Sequence, residues 1–233
     1  MPTRCSTATL LFLLLVACAV MPDAALAAAP RAAETPADVL TKELHRILAN
    51  LKHTRYTHPT TVDEEKGSYE LDCSGLACYM LKRVLPEHYE NVTIPKRQSR
   101  ATAMNFHDHF AQAPTTPEGK DGWRRIERIW DVRPGDILAW RAETPKPGST
   151  GHVVIIDSLP TVTSDRQICV AIVDSTSTGH GNDTRPKGQT GIGRGLMWFT
   201  ADAEGRPIAY RWSHPSGTLQ TRSIAIGRPV PLE

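Results

Sequence analysis

"ELDCSGLACYM", residues 70–80, sets an acidic residue, a cysteine and a glycine where an apolar pattern of helical period begins. Leu76, Ala77, Met80, Leu81 and Val84 form the stripe, Asp72 or Ser74 can cap its start, and Pro86 stops it, so a helix is expected from Cys73. A cysteine in the first turn of a helix meets unpaired backbone N–H groups and the positive end of the helix dipole, which both favour a thiolate. Two roles then compete for Cys73. Free cysteine is among the most buried residue types, so it can be a packing thiol; equally, it can be a nucleophile. The rest of the chain decides between them.

Upstream, "TPADVLTKELHRILANL" (35–51) offers Thr35 as a cap, Pro36 at the first helical position, and Val39, Leu40, Leu44, Ile47, Leu48 and Leu51 at helical spacing. The polar stretch from Lys52 to Tyr69, with Pro59 and Gly67, reads as a loop. Downstream, residues 87–122 are irregular apart from a short helix in "SRATAMNFHDHFAQ". The period then changes: "WRRIERIW" and "ILAWR" read as strands joined through an "RPGD" type II turn, followed by a "TPKPGSTG" loop. "HVVIID" and "ICVAIVDS" read as adjacent antiparallel strands, "GLMWFTADAEGRPIAYRWS" as a hairpin turning at residues 202–205, and "RSIAIG" as a closing strand. Helices first and strands after predict an α+β domain, its N-terminal helices packed on a mainly antiparallel β-sheet.

Composition bounds the function. Of 233 residues, 40% are hydrophobic and 22% charged, enough for one globular domain with a sizeable core, and the net charge of +2 without a basic run argues against nucleic acid as a partner. Arg4 precedes the apolar run "ATLLFLLLVACAV", too short to span a bilayer, which reads as a secretory leader. Cleavage after Ala27 gives a leader over residues 1–27. The alternative is a lipoprotein box at residues 15–18, which gives a leader over residues 1–17 and makes a lipidated Cys18 the chain's one membrane contact. A linker over 28–34 and a single domain over 35–233 follow. Either outcome leaves Cys73, Cys78 and Cys169 in an oxidising compartment, an odd number with at least one thiol lacking an internal partner.

A reactive thiol also needs an imidazole. His152 opens an apolar strand and shares a face, by period two, with Val154 and Ile156; the orienting group on its far nitrogen can be Asp174, which shares a face with Val170 and Ile172 on the next strand. Asp157 has the wrong parity.

These residues resemble the NlpC-type cell-wall cysteine peptidases, a papain-like family. The nucleophile motif Asp-Cys-Ser-Gly-Leu recurs whole at residues 72–76, followed in order by "IPKRQS", "RPGDILAW", "GHVVIID" and "VDSTS". The resemblance implies a papain-like NlpC-type fold over about residues 50–178 with a C-terminal β extension beyond it. It implies a secreted or envelope cysteine hydrolase that cleaves an amide bond in peptidoglycan stem peptides. In it Cys73 attacks, His152 moves the proton, Asp174 orients His152 (His180 being the alternative), and Tyr56 and the Cys73 amide serve the oxyanion. Asp72, Ser74 and Gly151 would border the bound substrate. Such chemistry needs no metal or organic cofactor, and a monomer is expected in the periplasm or envelope. The Cys73–His152 interval, 152 − 73 = 79 residues, is longer than the family's compact spacing and implies insertions around 87–122 and 142–149.

Other signals have plainer readings. His107 and His109 form a His-x-His pair without further ligand spacing and read as polar surface rather than zinc ligands. Cys78 and Cys169 can pair or stay as separate buried thiols. Trp123, Trp130, Trp140, Trp198 and Trp212 lie in or beside strands and read mainly as core, with a sugar-binding groove as the alternative. Rival functions on the same fold are a non-catalytic envelope-binding protein and an amide hydrolase or acyltransferase with a non-wall substrate.

Overall fold

The computed structural model describes residues 33–146, 148–163 and 167–232. The leader, its cleavage sites, Cys5, Cys18 and most of the linker fall in residues 1–32, outside the described residues. From Glu34 onward the chain forms one compact unit.

Helix α1 spans Pro36–Asn50 and starts on a reciprocal cap: the Thr35 side chain accepts from the Asp38 amide while the Asp38 carboxylate accepts the Thr35 N–H at 3.0 Å. Its Leu40, Leu44 and Ile47 are fully buried. The stretch expected as a loop after it is instead a small three-stranded sheet of β1 (His53–Arg55), β2 (Thr61–Asp63) and β3 (Ser68–Glu70), with β3 central and parallel to β1. Three-residue strands of mostly polar side chains leave no alternation to read. What places them is the fully buried Tyr69 and the left-handed Gly67, where a Cβ would stand 2.2 Å from the Asn50 carbonyl oxygen.

Helix α2 spans Cys73–Val84, capped by Asp72, whose Oδ1 accepts from the Gly75 amide at 2.7 Å. Ser74 does not cap; its hydroxyl donates to the same Asp72 oxygen. Pro86 does more than stop α2, since it opens a short α3 (Pro86–Glu90), where its missing N–H costs nothing. Helix α4 spans Ala103–Gln112 on a Thr102–Asn105 capping box.

The strands that follow are β4 (Trp123–Arg125), β5 (Ile137–Lys146), β6 (Ser149–Ile156), β7 (Thr161–Val162), β8 (Ile168–Thr176), β9 (Gly191–Ala201), β10 (Pro207–Arg211), β11 (Gln220–Thr221) and β12 (Ile224–Pro229). Among the described residues they form one sheet in the order β11-β10-β9-β8-β6-β5-β12-β4, with β7 also on β8, every neighbour antiparallel. The architecture is α+β. Two expectations fail locally. "WRRIERIW" is a strand only to Arg125 and then a 3₁₀ turn at Ile129–Asp131, because its buried Ile126 and Ile129 are three apart and do not alternate. The expected "TPKPGSTG" loop over 144–151 is only partly a loop: past an irregularity after Arg141, β5 and β6 pair again at Lys146 and Ser149. The "RPGD" turn forms, with the Asp136 amide on the Arg133 carbonyl and Gly135 at φ +87°.

Both faces of the sheet are covered. Leu76, Met80, Phe106 and Phe110 from the helices pack on Val153, Ile155 and Val173, while Val154, Ile156, Val170, Ile172, Met197 and Phe199 form a second core on the opposite face. Each such side chain contributes about 1.5–3 kcal/mol of burial. A strand buried on two faces reads as a continuous apolar run, which explains "HVVII" and "ICVAIV".

Candidate active site

Cys73 is the first residue of α2, so its backbone N–H has no acceptor within the helix, and its thiol is free, buried and at the edge of a cleft. His152 pairs with Trp140 across the ladder and shares the face of Val154 and Ile156, as period two demands, and it stands near the start of β6, where the charge of Cys73 bears on its ring. The other side of the ring is fixed: Nε2 lies 2.6 Å from Oδ2 of Asp174 on β8. Nδ1 is therefore the nitrogen left for the sulfur. Trp140 packs tilted against the imidazole at 5.1 Å between centroids, and Trp212 meets it edge-on at 5.3 Å.

The electrostatics follow from this line of groups. Burial pushes His152 toward the neutral form, but the charge of Cys73 and the Asp174 hydrogen bond overcome it and raise its pKa to about 10, so the ring is protonated at neutral pH. Burial pushes Asp174 up, and its two histidine partners, His180 and His152, bring it down to about 2. Asp174 is fully buried, with both oxygens occupied: Oδ2 by His152 and Oδ1 by His180 at 2.8 Å. The two residues that sequence reasoning set as alternatives for one role are thus present together. Asp157 is engaged elsewhere, by His45 and Arg194.

Tyr56 follows β1 and lines the same cleft of ≈190 Å³. Burial, then the negative charge of Cys73, raise its phenol pKa, so it stays an O–H donor. Gly151 also lines the cleft, at φ +138°, where a Cβ would stand 1.9 Å from the Trp140 carbonyl oxygen. Asp72 and Ser74 border the cleft, but their polar atoms are tied down: Arg100 reaches Asp72 Oδ2 and Ser74 Oγ, both at 2.6 Å, and His58 stands 3.2 Å from the same Asp72 oxygen. Arg100 and His58 join the cleft's lining on this side, and neither carries a sequence signal. Both segments read as insertions reach the site, since Arg100 and Thr102 come from one and Gly148 from the other.

Larger hollows exist, one of ≈440 Å³ between β1 and residues 184–192, but no cysteine lines it. Cys78 hydrogen-bonds the Ala101 carbonyl, and burial raises its pKa to about 11; Cys169 is raised by burial as well, and neither is in a disulfide. The His107–His109 reading as polar surface is corrected. His107 is buried against Ser223 and Asp108, and the half-buried His109 packs on Phe110 and Trp123, because α4 packs against both β12 and β4. Among the described residues no three potential metal ligands converge. Of the tryptophans, Trp123, Trp140 and Trp198 are core, Trp130 is 39% exposed, and none lines the cleft.

No family model matches this chain, and neither the curated proteins nor the solved structures yield a match.

Proposed function

We propose that the chain is a papain-like, NlpC-type cysteine hydrolase that cuts an amide bond in peptidoglycan stem peptides, acting in the periplasm or cell envelope. The observation that supports this reading best is the 2.6 Å His152–Asp174 contact, with the imidazole held protonated at neutral pH by the charges of Cys73 and Asp174. No helix among the described residues is long and apolar enough to cross a membrane.

In this reading the Cys73 sulfur attacks the amide carbonyl carbon, forming a C–S bond while the π pair moves onto oxygen. The Cys73 amide and the Tyr56 hydroxyl donate to that oxyanion; each such donor contributes about 10²–10³ in rate. As the C–N bond breaks, His152 gives its proton to the leaving amine, a step for which a resting imidazolium is already loaded. The imidazole then takes a proton from water, hydroxide attacks the thioester, and the carboxylic acid leaves with the thiolate–imidazolium pair restored. Asp174 keeps its charge and holds the ring throughout.

Incubating purified muropeptides with the protein and with Cys73→Ala, and weighing the products, tests this directly. New fragments carrying the mass of one added water are expected from the native chain alone. Fragments from neither sample would overturn wall cleavage.

A further inference from the structure

Asp174 is met by two histidines, and the mechanism above uses one. The His180 side chain is fully buried, with Nε2 2.8 Å from Oδ1 of Asp174. Its ring lies flat on Trp212, centroids 4.5 Å apart and planes 4° from parallel, and Trp212 also touches the His152 ring. The backbone is pinned as firmly: the His180 amide donates to Asp183 Oδ2 at 2.8 Å, while Gly181 bonds Trp212 and Leu196, each at 2.7 Å. Space is kept for it as well, since a Cβ on Gly195 of β9 would stand 2.5 Å from the His180 Cβ.

A carboxylate has no proton to give, so at this contact the ring must donate. Nδ1 of His180 is buried and meets no hydrogen-bond partner among the described residues, so the ring's proton belongs on Nε2, where Asp174 accepts it.

We propose that His180 is a positioning residue for the Cys73–His152 pair: by donating to Oδ1 it holds the buried Asp174 carboxylate ionised and oriented, which keeps Oδ2 on His152. This rests on reading Cys73 and His152 as nucleophile and proton carrier. The low pKa of Asp174 agrees with it. The other ionisable groups that face this arrangement are Tyr56, Asp72, Arg100 and His58 around Cys73, and Asp183 and Arg185, which bond each other, beside His180; the β9 residues at this point, Gly193 and Gly195, and the stacked Trp212 carry no charge. Without the His180 donor the buried carboxylate takes a proton more readily and the imidazolium beside the sulfur loses its counter-charge, which slows attack by the sulfur in mild acid.

The test is the pH profile of Cys73 alkylation by iodoacetamide in the full chain, mapped by peptide mass. His180→Phe keeps a ring against Trp212 and removes the donor; His180→Gln restores one. The expected result is that H180F slows alkylation about tenfold in mild acid and moves the profile up by about one pH unit, with H180Q recovering most of both. An H180F profile that overlays the native one, or equal slowing in both variants with no change in midpoint, overturns the proposal. Gly195→Ala displaces His180 without touching Asp174 and should shift the profile in the same direction; if H180F does not fold, an unshifted G195A profile overturns the proposal by itself. Alkylation needs no substrate, so the expected shift in a chain that cuts no muropeptide upholds the positioning role while the hydrolase reading falls. A native Cys73 that alkylates no faster than Cys78 removes both.

Discussion

Cys73 and Cys78 lie five residues apart on the same helix, both buried, yet their surroundings differ in kind. Cys73 is at the mouth of α2, against a protonated imidazole and a cleft. Cys78 is inside the helix–sheet core, its sulfur on the Ala101 carbonyl and its pKa raised to about 11 by burial. Reactivity therefore belongs to the place and not to the residue type: a helix N-terminus and a partnered histidine favour the thiolate, and an apolar core favours the thiol.

Replacing each cysteine breaks the comparison most sharply. On the proposed reading, Cys73→Ala is expected to lower amide hydrolysis by about 10³-fold or more with little change in stability, because it removes the proposed nucleophile. Cys78→Ala is expected to do the reverse, costing about 1 kcal/mol in chemical denaturation through a small cavity while hydrolysis stays within a few-fold of native. The orienting carboxylate comes next: Asp174→Asn, which offers an amide where His152 and His180 both need an acceptor, should lower kcat by about a hundredfold or more at unchanged fold, read by circular dichroism.

Gly151→Ala probes the strand that brings His152 to Cys73. At φ +138° and 1.9 Å from the Trp140 carbonyl oxygen a methyl group does not fit, and a loss of about 2 kcal/mol in urea denaturation is expected. The smallest effect is in pH. His152 is held above its ordinary 6.5, so its stabilising contribution is complete below that value and is lost as pH rises through about 10. Asp174 is held below its ordinary 3.8, so its contribution is present above that value and fades as pH falls through about 2. The stability gap between the native chain and His152→Gln should accordingly narrow from about pH 6 to about pH 10.

How much of this could be read in advance depended on the length of the signal. The residues 73–84 helix, the β6–β8 pair and the 202–205 turn were legible because each repeats a period over several residues, and the parity that joined His152 to Asp174 follows from period two alone. The small β1–β3 sheet was not legible, being three-residue strands ordered by one buried tyrosine and one glycine. Arg100 and His58 were also missed. They enter the site from loops, through contacts with Asp72 made 28 and 14 residues away in sequence, and no local pattern encodes such a contact. His180 was visible as a residue but not as a second partner: sequence poses Asp174 and His180 as rivals, whereas a carboxylate has two oxygens and here uses both.

The central claim is that His152 makes the Cys73 sulfur reactive, and the most direct measurement is the alkylation rate of each cysteine in mild acid, in the native chain and in His152→Gln. The account predicts that Cys73 is modified well ahead of Cys78 in the native chain and that this lead disappears in the variant. Equal rates for the two thiols in the native chain, or a lead that survives loss of the imidazole, would contradict it.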